Sequence, residues 1–488
     1  MPPRNRAEWG WRALAGVGAV CLVAVYLADL GQPLTNYDEP LYAEFIRAMD
    51  RGGSWFRLEY QGAETLQRPP TSVAVYAAVA SIVPGEIGLR LGPLLFTVVA
   101  IVGVGVAVAR VYGDRWAGFA AAAVTAGVPS VHVYGRLLLS DPPFVALALG
   151  ALIATIAAQR RPRYVVWAAA LLGAGFAVKS FAAAVPLVAL APGLAMAWRR
   201  HGSAARPGRA AIAFTALAAP YFIAGFAVHG GRFWDEHIGV MLIDRASGDL
   251  APLIGIGGPG AYLEHLWRAD GPLVTILLLG AIAGAGAWAW RRRDAELGVA
   301  AVAAALTFVL LSAISTRLAH YLLVFYPMAA VCAGGLVARA APALAANANG
   351  ARGIAVALGI AVFAQGVARG PFDAGAVPSW GAKELGEAIR ETFEPGRRCY
   401  AIDWYAPALG YYADRPFTML TTVPEVGAML ARSDPFAQAG NVAVVPPWPE
   451  GTFILVGRES EFPPPGVEIV NLVTGARGFR LAEVRASP

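Results

Sequence analysis

The sequence predicts a polytopic α-helical membrane protein followed by a smaller α/β domain, and three observations carry that prediction. Of the 488 residues, 57% are hydrophobic and 15% charged, with a mean hydropathy of +0.53, which is too apolar for a soluble globular chain of this size. Apolar runs of about 20 residues, the length that crosses a bilayer at a rise of about 1.5 Å per residue, recur between residues 13 and 369. Past Gly370 those runs stop, charges return, and short β-like pieces alternate with helical spacing. The net charge of +6 does not point to nucleic acid, because the arginines stand in short clusters between apolar runs, where they set topology. Cys21, Cys332 and Cys399 are scattered, so neither a disulfide framework nor a zinc cluster follows.

In chain order, Arg4, Arg6 and Arg12 precede an apolar run at 13–30 with no clear small-residue cleavage site. They predict an uncleaved first transmembrane helix with a cytoplasmic amino end. Further spans are expected near 86–109, 115–132, 143–158, 164–178, 181–198, 210–228, 273–290, 297–314, 319–338 and 353–369, about 11 to 13 in all. With that alternation Arg110 and Arg115, Arg160 to Arg163, Arg199 to Arg209, Arg291 to Arg293, and Arg339 with Arg352 share the cytoplasmic face. Parity leaves out the run Val73 to Val83, whose length of roughly a dozen residues suits an interfacial or re-entrant helix.

The opposite face then receives a first outer loop at 32–85, the turns at 131–142, 179–180 and 315–320, and a long outer loop at 229–271. Polar groups are thus sorted to one side. After Pro40, Leu41, Tyr42, Phe45, Ile46 and Met49 recur at helical spacing opposite Glu44, Arg47 and Asp50, as in a helix lying in the membrane interface. Residues 1–370 are expected to form the membrane domain and 371–488 a soluble extracytoplasmic α/β domain. In the latter, strands are expected at Cys399 to Ile402, Asn441 to Val445, Thr452 to Val456, Val467 to Val473 and Phe479 to Val484, with helices at Trp380 to Phe393 and Pro424 to Ala431.

Asp38 and Glu39 are the sharpest chemical feature. A carboxylate at an apolar boundary can have its pKa moved toward working pH and serve as a general base. Because Pro40 suits a first helical position, the same two residues also fit as a helix cap. Arg68, ahead of Pro69 and Pro70, fits either a fork onto phosphate oxygens or an interfacial anchor. Lys179 is one of two lysines in the chain; where arginine is otherwise used at the membrane boundaries, it points to phosphate more than to snorkelling. Asp141, before Pro142 and Pro143, reads first as a helix cap and second as an acid on the same face as Asp38. Arg245 supplies a possible phosphate ligand, and Glu236 with His237 a possible metal pair, although no HxxxH or CxxC spacing accompanies them. Arg317, His320 and Tyr321 open a span and fit a cationic and aromatic belt. The glycines from Gly255 to Gly260 follow no strand and so form no nucleotide loop.

Tyr37-Asp38-Glu39, Arg68-Pro69-Pro70, Gly135-Arg136 through Ser140-Asp141-Pro142, Val178-Lys179-Ser180, Glu236-His237 and His320-Tyr321-Leu322-Leu323, in this order and on one face, resemble the integral-membrane glycosyltransferases of the GT-C type. The branch they resemble is that of the aminoarabinose-lipid A transferases and protein O-mannosyltransferases. The resemblance implies an inverting transfer, metal-assisted or metal-independent, from a polyprenyl-phosphate sugar to an extracytoplasmic lipid, glycan or protein acceptor in a bacterial plasma membrane. It further implies Asp38 as the catalytic carboxylate, Asp141 as a second acid and Arg68 as the phosphate-binding cation, with Lys179, His237 and Tyr321 lining the donor site or supporting its loop. Glu39 is expected beside Asp38, and Arg245 and Arg317 near the donor phosphate, from their own placement. A divalent ion, if used, would fall to Glu236 and His237. Two departures stand out: Gln67 where that branch usually has glutamate, and Ser180 where it tends to have glycine. A carrier-lipid flippase should show inverted repeats and helices interrupted at mid-membrane, which this chain lacks, and a non-catalytic membrane scaffold should tolerate alanine at Asp38 and Arg68.

Overall fold

A computed structural model describes residues 4–35, 38–247, 257–344, 348–369, 380–404, 407–433 and 441–487. Asn36, Tyr37 and part of the 255–260 glycine stretch lie outside them. By packing, the chain divides into two compact units. One comprises 1–30, 90–228 and 242–376, the other 31–89, 229–241 and 377–488.

The first unit is a bundle of membrane helices, and the chain is a multi-pass membrane protein. Among the described residues, eight helical stretches are long and apolar enough to cross a bilayer. They include α4 (Gly85–Val111), α7 (Asp141–Ala158) and α10 (Pro207–His229). The 42-residue stretch Tyr164–Ala205 holds two of the expected spans, α8 (Tyr164–Lys179) and α9 (Ala184–His201). Val165 at the start of α8 packs with Ala197 and Ala205 at the end of α9, so the two fold back on each other. The expected span at 115–132 is broken into α5 (Arg115–Gly127) and α6 (Pro129–Tyr134), because Val128 ahead of Pro129 is held extended at ψ 119°. The first helix, α1 (Arg4–Leu27), is apolar from Gly16 onward. With the hairpin counted as two passes these stretches cover nine of the expected spans, while the apolar part of α1 and the broken α5–α6 pair are each too short to count among them.

Close backbone approach holds part of this bundle. A Cβ on Gly127 would lie 2.3 Å from Phe363 backbone, and one on Gly366 would lie 2.3 Å from the Gly127 carbonyl. Only glycine lets α5 and the helix Ala348–Arg369 meet there. Asp114 caps α5 by accepting from Trp116 N at 2.9 Å and Ala117 N at 3.1 Å, and it also receives Arg352 Nε at 2.6 Å. Buried Arg136 donates to the Ala28 and His132 carbonyls, and buried Arg90 to the Leu30 carbonyl, satisfying chain groups where α1 ends. α10 is only 11% buried along its apolar window, as a lipid-facing helix should be.

The second unit is built on a six-stranded sheet of order β5-β4-β3-β6-β8-β7. Its strands are β3 (Cys399–Ile402), β4 (Phe417–Thr421), β5 (Val442–Val444), β6 (Thr452–Arg458), β7 (Val467–Ala476) and β8 (Phe479–Ala486). The four strands β5, β4, β3 and β6 run parallel, and β8 and β7 add antiparallel pairs. The sheet covers all five expected strands and adds β4. The expected helices are present as Trp380–Thr392 and Pro424–Ser433.

The first loop belongs to this unit. It carries α2 (Asp38–Asp50), a hairpin of β1 (Leu58–Tyr60) and β2 (Ala63–Thr65), and α3 (Thr71–Ala80). The apolar face of α2 is buried, with Leu41, Tyr42, Phe45, Ile46 and Met49 each at most 3% exposed. It packs on β1, α3 and the helix Pro407–Ala413. The expected interfacial helix is therefore a core helix: its amphipathic spacing was met by protein. Arg47 donates to Asp414 at 3.1 Å and to the Tyr411 carbonyl at 2.6 Å, with its guanidinium 3.9 Å over the Tyr411 ring. Arg51 adds 2.7 Å to Asp414, and the Leu34 N–H donates to Tyr412 at 2.8 Å.

Candidate active site

The residues singled out in the sequence fall into two polar clusters, one in each unit. In the sheet-containing unit, Asp38 is the first residue of α2, and Arg68 Nη2 donates to its Oδ1 at 3.2 Å. The two side chains are 16% and 17% exposed, shielded yet reachable. The Arg68 guanidinium also lies 5.0 Å from the centre of the Tyr42 ring, whose face favours a cation. Asp38 is thus held by a cation that itself is held on α2. Glu39 is fully buried and accepts from Thr35 N at 2.8 Å. Its carboxylate fastens the chain entering α2, so of the adjacent acids only Asp38 has the exposure that chemistry requires.

The proposed metal pair is used otherwise. Glu236 accepts from Leu66 N at 2.9 Å and from Arg232 Nε at 2.6 Å, and His237 Nδ1 faces the Leu66 carbonyl at 2.9 Å. His237 also stacks on Phe233, ring centres 4.9 Å apart. Among the described residues no three His, Cys, Asp or Glu side chains form a metal-sized group. The pair does not fit a metal centre, and its neighbour Gln67, 1% exposed, supplies no acid to complete one. Instead it clamps the backbone just before Arg68.

Burial pushes the His237 imidazole from its ordinary 6.5 down to about 4, against the opposing pull of the Leu66 and Gln67 backbone hydrogen bonds. Because the folded value is depressed, its contribution to stability is complete above pH 6.5 and is lost as pH falls from 6.5 toward 4. At about 1.4 kcal/mol per pH unit, this amounts to roughly 3 kcal/mol. His237→Asn, which keeps a donor toward Leu66 O but does not titrate, should flatten the acid limb of melting temperature against pH. Parallel limbs in the two proteins would remove this role.

In the membrane unit, Asp141 opens α7, 3% exposed, and accepts a hydrogen bond from Lys179 Nζ at the end of α8. His320 Nε2 lies 4.0 Å from the other carboxylate oxygen. The Lys179 ammonium sits 4.9 Å over the Tyr321 ring, and the Tyr321 hydroxyl accepts from Arg245 Nη1 at 2.6 Å. Arg245 Nε is buried without a partner. Lys179 is thus paired with Asp141, while Arg245 rests on the Tyr321 hydroxyl with one guanidinium nitrogen unspent, in a shielded site that also holds the buried Asp244. The unspent Arg245 Nε is a donor that a phosphate oxygen can meet.

Arg317, expected at the phosphate, is spent elsewhere. It is 8% exposed and donates to the carbonyls of Ser312 at 3.1 Å, Gly257 at 2.8 Å and Ser315 at 3.4 Å. Those bonds fix the turn before His320, which removes Arg317 from the ligand set. His320, which the sequence offered as part of a belt and of the His320–Leu323 motif without a role of its own, is brought to the cluster by the geometry. No local signal marks it, since its partner Asp141 lies far away in sequence.

Ser180 explains one departure from the expected motif. It follows Lys179 at φ 48°, ψ −129°, where an L side chain is strained. The turn between α8 and α9 thus keeps the glycine-like backbone without glycine. Ser180→Gly should raise stability by about 1 kcal/mol and Ser180→Val lower it, read as opposite shifts in melting temperature; equal shifts would refute the strain.

The family model for dolichyl-phosphate-mannose-protein mannosyltransferase matches residues 67–223. The curated undecaprenyl phosphate-alpha-4-amino-4-deoxy-L-arabinose arabinosyl transferase 2 of Sodalis glossinidius is 27% identical over 202 residues, 36% of this chain and 34% of that protein. The matched stretch thus spans about a third of that relative's length. Two crystal structures of ArnT from Cupriavidus metallidurans superpose over nearly the whole chain. The form bound to undecaprenyl phosphate gives a TM-score of 0.72 at 17% identity, covering 97% of this chain and 98% of that one. The apo form gives 0.73 at 16% identity, covering 98% of each. The apo oligosaccharyltransferase of Archaeoglobus fulgidus matches at 0.51 and 15% identity, over 91% of this chain and 69% of that one.

Proposed function

We infer that this chain, a membrane protein with the GT-C glycosyltransferase fold, transfers a sugar from a polyprenyl-phosphate carrier to an extracytoplasmic acceptor. The observation that carries this reading is the Asp141–Lys179–Tyr321–Arg245 cluster, where Tyr321 joins two cations and Arg245 keeps a buried donor nitrogen unspent. Two neighbouring cations with a free donor suit the phosphate of a carrier lipid, and the ArnT structure with undecaprenyl phosphate supports that class of donor.

In the reaction, an acceptor oxygen attacks the anomeric carbon and the bond from that carbon to the carrier phosphate breaks. Asp38 takes the acceptor proton, and Arg68 keeps the Asp38 carboxylate in one orientation. Lys179 and Arg245 stabilise the negative charge that builds on the departing phosphate, which is where fixed cations lower a barrier most. Asp141 and His320 hold the lysine in place, and the Tyr321 hydroxyl steadies Arg245. Attack opposite the leaving group inverts the anomeric configuration. The chain lies in a bacterial plasma membrane, with its amino end cytoplasmic and residues 371–488 extracytoplasmic, the orientation that the arginine clusters favour.

The test is transfer of labelled sugar from synthetic polyprenyl-phosphate donors to membrane extracts by the purified protein. Transfer with inverted product stereochemistry supports the proposal. Failure with every donor turns the reading to carrier-lipid transport or a scaffold.

A further inference from the structure

An open cleft lies in the membrane unit, at the α7–α8 turn and the start of α10. It measures about 400 Å³ and is lined by Arg160, Arg161, Pro162, Arg163, Ala204 and Arg206. Arg160 is committed to Glu296. Arg161, Arg163 and Arg206 have no carboxylate partner among the described residues. Arg163 lies 5.3 Å from the Tyr164 ring, and the three exposed guanidiniums together make a positive cleft that attracts an anion. Arg206 is held there with a left-handed backbone, φ 51° and ψ 55°, at the step into α10.

The surroundings say which anion. Ala158, Val165, Ala197, Ala205 and Ala210 form an apolar cluster at these helix ends. About one turn along α8 and α10, Trp167 and Ile212 are 61% and 70% exposed. A soluble phosphate uses none of this apolar surface, whereas a lipid uses both its charge and its chains. We propose that this arginine cleft binds the phosphate headgroup of an anionic phospholipid, with the acyl chains along Trp167 and Ile212. Guanidiniums fork onto phosphate oxygens, and basic pockets between membrane helices suit such headgroups. The site is distinct from the sugar-transfer cluster, and its ligand stays chemically unchanged.

The experiment is native mass spectrometry of the full-length protein in detergent, titrated with phosphatidylglycerol or phosphatidylcholine of identical chains. Each arginine near an anionic headgroup contributes a factor of about five, so the wild type should prefer phosphatidylglycerol roughly a hundredfold. The triple variant R161Q/R163Q/R206Q should lose that preference, and R161Q alone should lose about fivefold, which keeps the test usable if the triple variant folds poorly. R291Q/R292Q/R293Q removes equal charge from another exposed cluster and should keep the preference. If this control loses as much as the triple variant, bulk charge explains binding and the proposal falls. Displacement of the lipid by inorganic phosphate alone at millimolar concentration would equally overturn it, in favour of a free-anion site.

Discussion

Asp38→Asn should lower sugar transfer by about 10²- to 10⁴-fold, the usual contribution of a positioned general base, while the protein stays folded. The geometry makes this substitution clean. Asn keeps an oxygen for Arg68 Nη2, now at 3.2 Å from Oδ1, and changes neither the size of the side chain nor its place at the start of α2. What it removes is the capacity to take a proton. Glu39→Gln offers the contrast: that buried side chain meets Thr35 N, so its loss should appear as lower stability with the rate per folded molecule retained. Measured rates and melting temperatures of the two variants separate base from fastening. Full transfer by folded Asp38→Asn would sink the mechanism and leave Asp38 as a helix start.

The second large effect is expected at Lys179. Lys179→Met removes the cation from a pair whose side chains are 14% and 5% exposed, and so leaves the Asp141 carboxylate buried without its donor. Breaking such a pair from one side costs about 3 to 5 kcal/mol. Lys179→Met/Asp141→Asn removes both charges and should recover much of that stability without recovering transfer. Stability and activity then part company, as they should if the ammonium also serves the leaving phosphate. Recovery of both in the double variant would make the pair purely structural, and the weight of the proposal would shift to Arg245.

Hydropathy made the membrane passes legible because each is a local property: an apolar run reports its own environment. The same locality explains what was missed. The hairpin in the first loop turns at Gln61 and Gly62, both at positive φ, a sequence without the Asn-Gly or Asp-Gly signature. β4 is five residues long directly after Pro416, too short for alternation to stand out. α2 shows a harder limit, since an apolar helical face looks the same whether lipid or protein will cover it. For the candidate site, composition marked Asp141, Lys179 and Tyr321 as boundary residues, but their pairing depends on helix packing. Arg317 makes the converse point: a guanidinium at a membrane boundary serves carbonyl oxygens as readily as phosphate.

The contact of Arg47 with Asp414 joins residues 367 positions apart, and this orders events during synthesis. At ribosomal speeds of about 5 to 20 residues per second, roughly 20 to 70 s separate the emergence of α2 from that of its anchor. Throughout that interval, the helix that begins with Asp38 has no Tyr411–Asp414 corner to rest on. A ribosome that stalls before residue 407 would leave α2 exposed, its apolar face uncovered by the helix Pro407–Ala413 and its Arg47 without Asp414.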